Sequence, residues 1–66
     1  MDFYRVTFKD GGNCEIEQVT VHVANVVFAV ERARLKVIKD KGVKACSAID
    51  RETVSVTIEK IIHEGD

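Results

Sequence analysis

The side chains of this chain best suited to nucleophilic, acid–base or metal chemistry are Cys14, Cys46, His22, His63, Ser47 and Ser55. A thiolate beside an imidazole makes a nucleophile with its base. Two Cys with two His have the stoichiometry of a zinc site. The spacing supports neither arrangement. There is no C-x-x-C or H-x-x-x-H pair, and no acidic residue is set by motif to orient a histidine. Asp10-Gly11-Gly12-Asn13 is too short to cradle a phosphate and opens no helix, so it reads as a hairpin turn. The sequence therefore predicts a non-enzyme with no catalytic residue, no metal ligand and no cofactor. The two cysteines read as reduced thiols acting as small apolar residues, with a disulfide as the alternative.

Charge offers a second kind of chemistry. The net charge of the 66 residues is −1, so no overall field draws the chain to nucleic acid or to an anionic membrane. The distribution is uneven. Arg32, Arg34, Lys36, Lys39, Lys41 and Lys44 against Glu31 and Asp40 give residues 31–44 a balance of +4, leaving −5 elsewhere. On a helix, Arg32, Lys36 and Lys39 fall on one face, and Lys44 extends the patch. Such a face can contact phosphates, but no aromatic residue is expected beside it to stack on bases. A solvated helix face is the simpler reading. The acidic groups, Asp10, Glu15 and Glu17, then Asp50, Glu52, Glu59, Glu64 and Asp66, are interrupted and read as solvating charge.

The elements that must carry these residues follow from periodicity. Eleven Val and six Ile against one Leu favour strands. Tyr4, Val6 and Phe8 alternate with Phe3, Arg5, Thr7 and Lys9, which predicts a half-buried strand over 3–9. Gly11 and Gly12, with Asp10 and Asn13, would supply the positive φ angles of a hairpin. A second strand follows over 14–23. Its parity changes between Ile16 and Val19, which a bulge near Glu17-Gln18 would reconcile, as would a strand with both faces partly covered. Asn25 is the expected N-cap of a helix over 26–41, closed by Gly42. Lys44 to Ile49 reads as an optional short strand, and Asp50 to Thr53 as a turn. Val54, Val56 and Ile58 then mark a strand running to about Ile62. The expected fold is α+β, in the order ββα(β)β. It is a single domain over 1–66, with one helix on one face of a three- to four-stranded antiparallel sheet.

The helix carries two apolar stripes where one would seal a small sheet. Val26, Ala29, Val30, Ala33 and Val37 form the first, and the two alanines permit close approach to strands. Val27, Leu35 and Ile38, with Ala24, Phe28 and Glu31, form the second. Arg34 lies between the stripes, and one broad face with the Arg34 stem lying over its apolar neighbours is the alternative reading. Val27, Phe28, Glu31, Arg34, Leu35 and Ile38 are therefore the candidate interface residues. A second copy of the chain is the expected occupant, since two-fold dimers are the commonest oligomers. In such a dimer Glu31 would sit at the rim or pair with Arg34 or Lys41 of the partner copy.

The run Tyr4-Arg5-Val6-Thr7-Phe8-Lys9-Asp10-Gly11-Gly12, a second strand, then Val21-His22-Val23-Ala24-Asn25 leading into a helix with Ala29 and Ala33, resembles small proteins of bacteriophages and mobile elements. Anti-CRISPR proteins with a strand–hairpin–helix–strand build are among them. The resemblance covers residues 3–42 and is one of pattern. It implies an accessory or inhibitor protein that occupies a surface of a larger host protein or nucleoprotein complex, and it carries over no site residue. Met1-Asp2-Phe3-Tyr4 has neither a basic nor an apolar leader segment, and no stretch reaches membrane-span length, so the expected location is cytoplasmic. The alternatives are a nucleic-acid-binding protein using the basic helix face and a small structural subunit of an assembly.

Overall fold

A computed structural model describes residues 1–61, and Ile62, His63, Glu64 and Asp66 of the expectations above lie outside them. The elements run β1 (Asp2–Lys9), β2 (Glu15–Val23), a 3-10 turn (Val26–Phe28), α1 (Ala29–Lys41), α2 (Val43–Glu52) and β3 (Ser55–Ile61). The three strands form one antiparallel sheet in the order β2-β1-β3. The first strand is thus the central one, and β2 and β3 are both edges. The α+β class with an antiparallel sheet is as expected. Among the described residues the order is ββααβ, however, with two helices and no fourth strand.

The β1–β2 hairpin is closed by an aspartate. Asp10 Oδ1 accepts from the backbone N–H of Gly12 at 2.9 Å and of Cys14 at 3.0 Å. The residue with positive φ is Asn13 (63°), and neither Gly11 nor Gly12 is left-handed. An asparagine tolerates this conformation because its short polar side chain suits turns. The register shifts between Phe8, opposite Glu17, and Lys9, opposite Glu15. The extra residue is Ile16, just N-terminal to the expected Glu17-Gln18 site. The shift explains how Ile16 and Val19 both pack against the core despite their odd spacing.

Asn25 caps as expected, its side chain accepting from Val27 N–H at 3.0 Å. It caps a 3-10 turn, however, and α1 proper begins at Ala29. Gly42 ends α1 with its N–H donated to the Ile38 carbonyl at 2.9 Å. Its φ of 97° and ψ of 167° lie in a region open essentially to glycine alone. Gly42 is also where α2 starts. The segment read as a strand and turn is a helix whose Ala45, Cys46, Ala48 and Ile49 face inward at helical spacing.

The core lies between one face of the sheet and the two helices. Tyr4, Val6 and Phe8 of β1, Val21 and Val23 of β2, Ala29, Ala33 and Val37 of α1, and Cys46 and Ile49 of α2 form one buried cluster. Val6, Ala29 and Ala33 are wholly inaccessible. The alanines let α1 approach β2 and β1 closely, as their small size predicts. Val26 was expected in the core stripe and is instead exposed, because the 3-10 turn rotates it away from the α-helical phase. The helices cover the β2–β1 side and leave β3 almost unroofed. On the other face, Thr7 is buried beneath its neighbours and accepts from Gln18 Nε2 at 3.3 Å. Among the described residues, no helix is long and apolar enough to cross a membrane.

Candidate functional site

Two surfaces converge on α1. The first is apolar. Val27 (75% exposed), Phe28 (56%) and Leu35 (52%) stand out from the turn and helix, although the core below is already filled. Val27, Val30, Glu31, Arg34, Leu35 and Ile38 line an open groove of about 460 Å³. Five of the six candidate interface residues are exposed. Ile38 differs, being half-buried against the core with Val30. The two apolar stripes thus merge along Val30 and Ile38 and separate again at Val27, Phe28 and Leu35.

The basic charges beside this groove are paired within the chain. Arg34 Nη2 meets Asp50 Oδ2 at 2.7 Å, joining α1 to α2. The hydrogen bond to Asp50 and that carboxylate's charge raise the Arg34 pKa above its ordinary value. Lys41 pairs with Glu17 of β2. Arg34 and Lys41 are therefore both paired within their own chain. Both pairs are partly solvated, so they orient the helices more than they stabilise them.

The second surface is the groove between α1 and the outer edge of β2, about 390 Å³ in volume. It is lined by Phe3, Thr20, Val21, His22, Arg32, Leu35, Lys36 and Lys39. Phe3 and His22 are direct partners across β1 and β2, and their rings stack at 4.2 Å and 7°. The expectation that no aromatic lies near the basic stripe is therefore corrected. Strand pairing brings Phe3 and His22 to the rim of the groove that Arg32, Lys36 and Lys39 overhang. The signal lay in the register: the hairpin fixes Phe3 opposite His22 once Ile16 is recognised as the extra residue. Lys44 sits on α2 and does not line this groove.

The nucleophile candidates are dispersed. Cys14 is exposed at the hairpin and Cys46 is buried between α1 and α2, its Sγ 3.8 Å from the Arg34 carbonyl; both thiols are free. Cys46 fits the small-apolar reading, whereas Cys14 does not. Ser47 lies on α2 and Ser55 at the start of β3, both exposed. Among the described residues, no group of three or more His, Cys, Asp or Glu side chains is placed to hold a metal ion. No family model, no curated protein and no solved structure matches the chain.

Proposed function

We propose that the chain is a non-enzymatic protein-binding module whose docking face is the α1 surface built on Val27, Phe28 and Leu35. One observation carries this reading: three large apolar side chains stay exposed along the 3-10 turn and α1, whose other side already fills the core. Clustered apolar exposure of this kind on so small a protein is a common mark of an interface. The partner is a larger protein or nucleoprotein assembly presenting an apolar surface, with Glu31 at the rim. The strand–hairpin–helix order over residues 3–42 supports a phage or mobile-element accessory protein, anti-CRISPR-like in acting by occupying a host surface in the cytoplasm. Capture from host lysate with wild-type chain and with Leu35→Glu tests the docking face. Proteins recovered by the wild type should be lost by the variant, and purified partner should bind the variant at least tenfold more weakly. Equal recovery by both chains would refute it.

A second reading is favoured by one specific observation, the Phe3–His22 stack beside Arg32, Lys36 and Lys39. Cations for phosphates next to rings for bases are the components of a single-strand binding groove. Against it stand the net charge of −1 and the engagement of Lys36 with the Thr20 carbonyl. The chain should therefore give no mobility shift with single-stranded RNA or DNA at low-micromolar concentration and moderate salt. Tight binding that falls steeply with salt, and that is lost on changing Arg32 and Lys39 to Glu, would make this the primary function.

A further inference from the structure

The two edges of the sheet are treated differently. On β2, Lys36 Nζ donates to the Thr20 carbonyl at 2.9 Å and Lys41 pairs with Glu17, so the helix guards that edge with charge. On β3, among the described residues, no side chain reaches the backbone of the strand. Both of its charges, though exposed, are paired with β1 instead: Glu59 meets Arg5 at 2.8 Å and Lys60 meets Asp2 at 3.7 Å. The edge that remains carries no unpaired charge to repel another strand. Val56 (39% exposed) and Ile58 (37%) lie on its helix-side face, which the helices leave almost uncovered.

We infer that β3 is a self-pairing edge, at which a second copy of this chain adds its own β3 antiparallel to form a continuous six-stranded sheet. The two-fold axis is normal to the sheet, because only that symmetry makes neighbouring copies antiparallel with their helices on one side. Even-numbered residues then face even-numbered residues, and the register is chosen by chemistry. An axis through Thr57 sets Val56 against Ile58 of the other copy, twice, and Ser55 against Glu59. An axis through Val56 opposes Val56 to itself but pairs only Ser55 to Thr57 of the strand, and an axis through Ile58 sets Val56 against Lys60. Axes through Glu59 or Lys60 oppose like charges. The Thr57 register joins four apolar side chains on the helix side and satisfies alternate N–H and C=O groups along the edge. Apolar cross-strand pairs and a neutral edge are the complementarity that a second copy supplies. This inference does not depend on the helical docking face, which stays open in the resulting dimer.

The test is sedimentation equilibrium at about 100 µM protein, combined with register-specific crosslinking. The wild type should have the mass of two chains. Val56→Lys with Ile58→Lys should give a folded single chain by circular dichroism, because both residues are partly exposed. Leu35→Glu should leave the dimer intact. In a Cys14→Ser background, Thr57→Cys should form an intermolecular disulfide with oxidised glutathione. Directly opposed residues in either antiparallel pair type lie within disulfide reach. Ser55→Cys should not crosslink, since it faces Glu59. A single-chain mass for the wild type leaves the edge to another protein's strand and overturns the inference. So does a dimer dissolved by Leu35→Glu, or one in which Thr57→Cys fails to crosslink.

Discussion

Lys36 Nζ lies 2.9 Å from the carbonyl oxygen of Thr20, so a helix side chain closes a position on the exposed edge of β2. Two structural layers are tied by this contact, and it falls inside the groove that holds Phe3 and His22. The ammonium group is thereby a guard on the sheet before it is a ligand for anything else.

Removing that guard should affect association more than stability. Lys36→Ala is expected to cost no more than about 1.5 kcal/mol, the upper range for a single net hydrogen bond. Urea unfolding measures this. Light scattering at high protein concentration should show faster aggregation, because the β2 edge is then open. A variant that scatters no more than the wild type would show that the edge needs no guard.

Leu35 and Val37 are two residues apart on α1 and should respond oppositely to the same change. Leu35 is exposed and Val37 is buried in the core. Leu35→Glu should shift stability by no more than about 0.5 kcal/mol. Val37→Glu buries a carboxylate without a partner, and should cost upwards of about 3 kcal/mol or abolish folding. Thermal unfolding followed by circular dichroism compares them directly.

Much of this contrast was legible in the sequence, because Ala29, Ala33 and Val37 recur at helical spacing and Gly42 marks the end of α1. β1 was legible for the analogous reason, its strict alternation, and β3 from Val54, Val56 and Ile58. What failed was α2. Gly42 looked like a terminator of all helical structure, and a chain rich in Val biased Lys44 to Ile49 toward a strand. The signal was nevertheless present: Ala45, Cys46, Ala48 and Ile49 recur at intervals of three and four, and alanine is the best helix former. The apolar candidate face was legible because excess hydrophobicity on one helix is visible in the pattern. The aromatic rim of the basic groove was not, because it depends on a one-residue register shift at Ile16.

Gly42 should tolerate no L-residue cheaply. A Cβ placed there would meet nothing within 4 Å, so any penalty comes from the backbone at φ 97°. Gly42→Ala is expected to cost about 1–3 kcal/mol in urea unfolding. A chemically synthesised chain with D-alanine at this position should be markedly more stable than the L-alanine variant, since positive φ suits the D-enantiomer. Equal stabilities would mean that α1 and α2 simply rearrange around the substitution.

The two cysteines should be separable by reactivity. With Cys14 exposed and Cys46 buried, a thiol reagent should modify one equivalent rapidly and the second only on unfolding. Cys14→Ser should be close to neutral. Cys46→Ser should cost roughly 1–3 kcal/mol through burial of a hydroxyl. A non-reduced mass two protons short, with neither thiol reactive, would point to a disulfide instead.

The central position of β1 sets the timing of assembly. Its pairing with β2 is local, across one hairpin, and α1 and α2 are neighbours in sequence. Its pairing with β3 joins Lys9 to Ser55 and encloses everything between them. Contacts of such separation are entropically costly to close and slow a folding reaction. Refolding followed by stopped flow should therefore slow when Ile58→Ala weakens the closing strand; an unchanged rate would mean that β3 docks after the barrier. Until β3 arrives, the strand that later becomes the best protected in the molecule has an open side of its own, flanked by Val6 and Phe8. The most interior strand of the finished sheet is in this way the most vulnerable one during its formation.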